Sequence, residues 1–220
     1  MRIRESLLLG FFTICLCSVT KAQRTISEAT IRYSVILQEE GDSTRQDLLK
    51  GATHTCYIKG PNSRIDLQTP LGKQTTIIQG KTGNVVLLKE YGSQHYMIRL
   101  TPSQWDEENE NFNNSKLELL PDSTTILGYS CQKAVVTTND GTSFIVWYTK
   151  AIVPAYREFQ QMGKTLPGLM MEYEAQLGSL KIRFRISQLL INPVPQVLFD
   201  IPTKGYRVLS YEESKRAGTD

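Results

Sequence analysis

The residues that could do chemistry in this chain are few: His54 and His95, the cysteines Cys56 and Cys131, and the acidic cluster Asp106, Glu107, Glu108 and Glu110. A metal centre needs three or four such ligands at recognisable spacing. The two histidines are far apart in sequence, on different expected strands, with no carboxylate or cysteine at a metal-ligand interval, so each reads as a strand or surface histidine. The acidic cluster lacks the alternating oxygen ligands and the glycine of a calcium loop and reads as a solvated helix face. There is no G-x-S-x-G elbow, no glycine-rich phosphate loop and no C-x-x-C pair. Asn113-Asn114-Ser115 matches a glycosylation sequon too short to carry weight. The pattern predicts no catalytic residue, no metal and no cofactor, and a protein that is not an enzyme.

The chain opens with Arg2 and Arg4, runs through the apolar stretch 7–17, and offers Thr20-Lys21-Ala22 before Gln23. Those are the three regions of a cleavable signal peptide, and the apolar stretch is too short to span a bilayer. Cleavage after Ala22 is expected, leaving residues 23–220 as a single domain in the periplasm or outside the cell, with no transmembrane segment. Ile14 and Leu16 precede Cys15 and Cys17 where a lipoprotein signal would have a small residue, so no lipid anchor is expected. Loss of Arg2, Arg4, Lys21 and Glu5 lowers the net charge from +3 to +1. So balanced a charge argues against a nucleic-acid partner. Cys56 and Cys131 alone then remain, and in an oxidising compartment they form a candidate disulfide. Such a bridge could stabilise by about 4 kcal/mol if the fold brings the two Cα atoms together. Otherwise they are two separate buried thiols.

These residues must be positioned by strands, because the dominant period is two. Leu180, Ile182, Phe184 and Ile186 point one way, and Lys181, Arg183, Arg185 and Ser187 the other. That second set predicts an outward basic stripe able to steer the protein to anionic surfaces. Ile31, Tyr33, Val35 and Leu37 alternate likewise, with weaker patterns over 53–58, 64–67, 73–79, 84–88 and 95–100. Asn139-Asp140-Gly141, between 133–138 and 142–149, predicts a β-hairpin. Thr101-Pro102-Ser103-Gln104 has the cap, the proline and the capping-box residue of a helix start, predicting a helix to about Phe112. A second, shorter helix is expected over Ala155–Met162, between Pro154 and Gly163. Pro167-Gly168 predicts a type II turn, proline fixing φ and glycine taking the positive φ that follows.

Three segments stand in order: Gly128-Tyr129-Ser130-Cys131-Gln132-Lys133-Ala134, then Trp147-Tyr148-Thr149, then Leu166-Pro167-Gly168-Leu169-Met170. This order resembles the GLPGLI family of secreted bacterial proteins, with Thr165 in place of the first glycine and Met170 in place of the final isoleucine of its naming loop. Leu198-Phe199-Asp200-Ile201-Pro202 with Gly205-Tyr206 resembles the closing strand of lipoprotein-carrier-like (LolA-like) proteins. The likeness spans residues 126–206. It implies a mainly β fold: a strongly curved, unclosed antiparallel β-barrel with about two covering helices and an apolar concave face, which in lipoprotein carriers holds acyl chains. The candidate lining residues here are Tyr33, Val35, Leu169, Met171, Tyr173, Ile182, Phe184 and Ile186. Two readings follow. One is a non-catalytic envelope protein that binds a lipid, acyl chain or other apolar ligand; the other is an envelope interaction module whose partner is a protein and whose concave face is solid core.

Overall fold

The computed structural model describes residues 23–37, 49–177 and 180–217; the expected signal peptide, residues 1–22, lies outside them. Twelve strands form one large curved sheet that does not close. Half of it is a meander of β2 (Glu28–Leu37), β3 (Thr53–Lys59), β4 (Asn62–Thr69), β5 (Gly72–Gln79), β6 (Asn84–Tyr91) and β7 (Gln94–Leu100), each antiparallel to the one before. Beyond β2 the sheet continues through β13 (Leu180–Leu190), β12 (Leu169–Leu177), β10 (Ser143–Thr149), β9 (Tyr129–Thr137) and the edge strand β8 (Lys116–Ile126). The other edge is β14 (Arg207–Leu209), parallel to β7. β1 (Arg24–Ile26) and β11 (Ile152–Pro154) make a separate parallel pair.

The centre of the sheet and its β5–β7 part are built differently. In β2 and β13 apolar and polar residues alternate, and only one face meets the main core. In β5 and β6 apolar residues stand side by side because both faces are covered. Ile78, Val85, Ile98 and Leu100 pack under Trp105, Leu209 and Tyr211. On the opposite face Ile77, Val86, Leu88 and Met97 pack under Ile201 and Tyr206. A strand buried on both faces has no reason to alternate.

The capping box at Thr101 forms as expected: Gln104 N donates to the Thr101 hydroxyl at 3.3 Å and Thr101 N to the Gln104 side chain at 2.9 Å. The helix is divided, however, into α1 (Pro102–Glu108) and α2 (Glu110–Asn113). Asn109 interrupts it by turning its amide back to the Trp105 carbonyl at 2.8 Å. A third helix, α3 (Tyr211–Ala217), follows β14.

The helix expected over Ala155–Met162 does not form; a single 3-10 turn at Gln161–Gly163 takes its place. The side chains of Arg157 and Gln160 instead hold the next loop by its carbonyls, Arg157 at Leu166 and Gln160 at Gly163 and Gly168. Phe159 and Met162 also enter different hydrophobic clusters, which one helical face would not allow. The closing strand expected over 198–206 is likewise absent. Residues Gln196–Phe199 form a 3-10 turn, and strand pairing starts only at Arg207. Pro193, Pro195 and Pro202 lack the N–H groups a ladder needs.

Candidate functional site

Register explains how the candidate lining residues meet. Val35 and Tyr173 both stand opposite Phe184, Tyr33 stands opposite Ile186, and Ile182 opposite Leu37 and Ala175. Alternate positions on three neighbouring strands therefore share one face. All eight candidates belong to a single cluster, with Tyr33, Leu169, Met171, Ile182, Phe184 and Ile186 buried and Val35 and Tyr173 half-buried against it. The surface grooves lined by described residues lie elsewhere on the molecule.

The residue that sequence reasoning missed is His54. It sits on β3 opposite Tyr33 and Leu67, in the same parity as Cys56 and Ile58, and is 9% exposed. Its Nε2 is 3.1 Å from the Tyr173 hydroxyl and 3.5 Å from Cys56 Sγ. Its ring stacks at a tilt on Phe184 and Tyr33, with centroids 4.7 and 5.3 Å away. Tyr33 donates to the Met170 carbonyl at 3.0 Å. With Nε2 accepting from Tyr173, the proton lies on Nδ1, a buried atom without a partner among the described residues. The available signal was the parity of His54 with Cys56 and Ile58 in 53–58.

Burial sets the electrostatics of this nest. It pushes the His54 imidazole down to about 4, against a smaller opposing pull from Asp66. Burial, with Cys56 and Tyr173 as further contributors, holds the Tyr33 hydroxyl well above its ordinary range, and burial raises the Cys56 thiol and the Tyr173 hydroxyl as well. At neutral pH the nest is uncharged. A thiol that keeps its proton is a poor nucleophile. Around the nest, Val35, Leu37, Leu67, Tyr173 and Ala175 form a half-buried apolar rim.

The disulfide expected between Cys56 and Cys131 is not made; both thiols are free and buried. β3 and β9 are separated by β2, β13, β12 and β10, and each sulfur has its own polar neighbour, His54 for Cys56 and the Tyr129 carbonyl for Cys131. The basic stripe on β13 faces outward but is not a bare cationic surface. Arg185 and Arg183 lie 3.3 and 3.6 Å from the two carboxylate oxygens of Glu172, which is only 7% exposed.

Gly168 corrects the reasoning on the Pro167-Gly168 turn. Its φ is not positive. The glycine is required instead by close approach, since a Cβ would lie 1.9 Å from the Thr149 carbonyl oxygen. The loop feeds directly into Leu169 and Met171, both fully buried.

A sequence profile for a domain of unknown function, DUF4412, matches residues 44–181, from before β3 into β13. The chain belongs to the DUF4412 family. No curated protein sequence matches it. Among solved structures it is similar to PNGF-II, at 12% identity and a TM-score of 0.51 over 86% of the chain. It spans only 32% of the PNGF-II chain, and at this identity the likeness shows the fold alone. Weaker likenesses are to MucB (14% identity, TM-score 0.39, 80% of this chain and 58% of that one) and to a beta-barrel-like DUF1849 protein from Brucella abortus (8% identity, TM-score 0.38, 77% of this chain and 99% of that one). The DUF4412 match covers β3 to β12 with His54, but of β13 only Leu180 and Lys181 and nothing of β2.

Proposed function

We propose that this DUF4412 protein is a non-catalytic, exported envelope protein that holds one apolar ligand, such as an acyl chain, at the open end of its concave face. The observation that carries this reading is the half-buried rim of Val35, Leu37, Leu67, Tyr173 and Ala175 above an uncharged nest with one unpartnered nitrogen. Ligand seats are mostly apolar with a few placed polar groups, and a buried polar atom without a partner calls for one. A rim of this kind removes an alkyl chain from water at roughly 0.8 kcal/mol per buried methylene. The order of the Gly128–Ala134, Trp147–Thr149 and Leu166–Met170 segments, which resembles the GLPGLI family, and the apolar stretch at 7–17 support the exported part of the reading. The test is extraction of the exported protein after purification under native conditions, with mass spectrometry of the organic phase. One lipid or fatty acid recovered per chain is expected; a clean protein that also takes up no added fatty acid overturns the reading.

A second reading, an interaction module, is favoured by the open edge of β8. That strand is 11 residues long, with Leu119 51% exposed. Its bulge between Leu119 and Ser123 and its Pro121 are the devices that keep edges from pairing indiscriminately, which makes the edge a weaker candidate than the rim.

A further inference from the structure

A groove of about 680 Å³ lies far from the rim, between the ends of β6 and β7, the edge strand β14 and α3. Its apolar floor is Leu209, which covers the buried Ile98, and its wall is aromatic, from Tyr91 and Tyr96. Tyr91 is 43% exposed, yet its ring is held in place: it rests so close to Gly72 that a Cβ there would be 2.6 Å from the ring. Lys89 on β6 and Arg207 on β14 both stand opposite Tyr96 and so flank it, neither in a salt bridge among the described residues.

The acidic residue of the groove, Glu213, is already committed. Its carboxylate accepts from Ser210 N at 2.7 Å and Ser210 Oγ at 2.8 Å, capping α3. These hydrogen bonds, and behind them the charges of Arg207 and Arg216, hold its carboxyl below the usual range. Glu213 is therefore engaged by its own helix start and offsets only one of the groove's three cations, Lys89, Arg207 and Arg216, so the groove keeps a net positive charge.

We propose that this groove is a binding site for a small amphipathic anion: a carboxylate or phosphate, received between Lys89 and Arg207, on a flat apolar body that lies over Leu209 beside Tyr91. The volume is in the range of small-molecule sites, about 300–1,000 Å³. A free inorganic anion would leave floor and wall unused, and a neutral ring would leave the groove's net positive charge unanswered. Arginine adds the planar fork suited to carboxylate and phosphate.

Calorimetric titration of the exported protein at low salt with phenyl phosphate, phenylacetate, phenylacetamide and inorganic phosphate tests this directly. The two ring-bearing anions should bind saturably, and the uncharged amide and bare phosphate at least tenfold more weakly. Binding should weaken as salt is raised. The pair K89Q/R207Q, both surface changes, should lose at least tenfold for the anions with an unchanged melting temperature, and Tyr91→Ala should weaken the ring-bearing anions while leaving inorganic phosphate as it was. Amide binding equal to that of the acid, phosphate binding equal to that of its phenyl ester, no saturable binding at all, or an unaffected double variant overturns the proposal.

Discussion

The β5–β7 part of the sheet and its centre bury comparable strands in opposite ways. Around β5, β6 and β7 both faces are sealed, one by α1, α3 and β14, the other by Ile201 and Tyr206. Around β2, β13 and β12 a single apolar face carries the main core, and the other face carries Glu172 with Arg183 and Arg185. The first region is closed structure with a groove at its margin. In the second, the core thins toward the strand ends into a half-buried rim above His54. An apolar ligand is seated where apolar surface is left without a full cover, which is why the proposed acyl-chain seat is placed at the centre and not among β5–β7.

The largest effect that can sharpen this contrast is at Gly168, where the loop is pressed against β10. Gly168→Ala should destabilise by about 2–3 kcal/mol through overpacking against the Thr149 carbonyl. Gly92→Ala, in a turn of the sealed part with open space around it and a φ of 56°, should cost only the strain of its backbone, about 1 kcal/mol. Urea unfolding of both measures the difference; equal midpoints would break the comparison.

His54 provides the next. Its imidazole is depressed to about 4 in the folded chain, so below its ordinary value of 6.5 the unfolded chain takes up a proton that the folded chain refuses. The stability tied to this group is thus complete above pH 6.5 and is lost as the pH falls toward 4, by up to about 3 kcal/mol. His54→Phe should remove that slope. An unchanged difference between pH 7 and pH 4.5 in the variant would show that the nest is wetter than the structure has it.

Much of this was legible in the chain and some was not, for identifiable reasons. Period two located Tyr33, Val35, Ile182, Phe184 and Ile186 on one face, because a half-buried strand records its burial in its own residues. His54 was passed over because imidazole is polar, and only the neighbouring strands show that its position is internal. Gly168 was recognised as indispensable but for the wrong reason, since the Thr149 carbonyl that forbids a Cβ arrives from another strand. The covering role of Ile201 and Tyr206 could not be read from alternation, as an irregular segment has none. β8 was missed because Pro121 and the bulge break its period.

Smaller effects follow on the outer face. Glu172→Gln removes a largely buried carboxylate from between two guanidinium groups and should cost about 1–2 kcal/mol. Arg183→Gln, with its side chain 40% exposed, should cost less than about 1 kcal/mol. Thermal unfolding of the two variants ranks them, and a reversed order would mean that Glu172 is not held by the pair. Smallest of all is Leu127, whose φ of 48° in the two-residue turn with Gly128 is strained for a bulky side chain. Leu127→Asn should stabilise by about 0.5 kcal/mol, read as a small rise in melting temperature.

The seat itself is tested most directly by titrating a fluorescent fatty acid into the delipidated protein and into Leu67→Glu, which places a charge at a half-buried rim position opposite His54, with urea unfolding of both proteins as the control for the packing Leu67 makes against the cluster. One saturable site per chain in the parent, lost or weakened at least tenfold in Leu67→Glu at an unchanged fold, is the predicted result. Equal binding by the two proteins, or none by either, would contradict it.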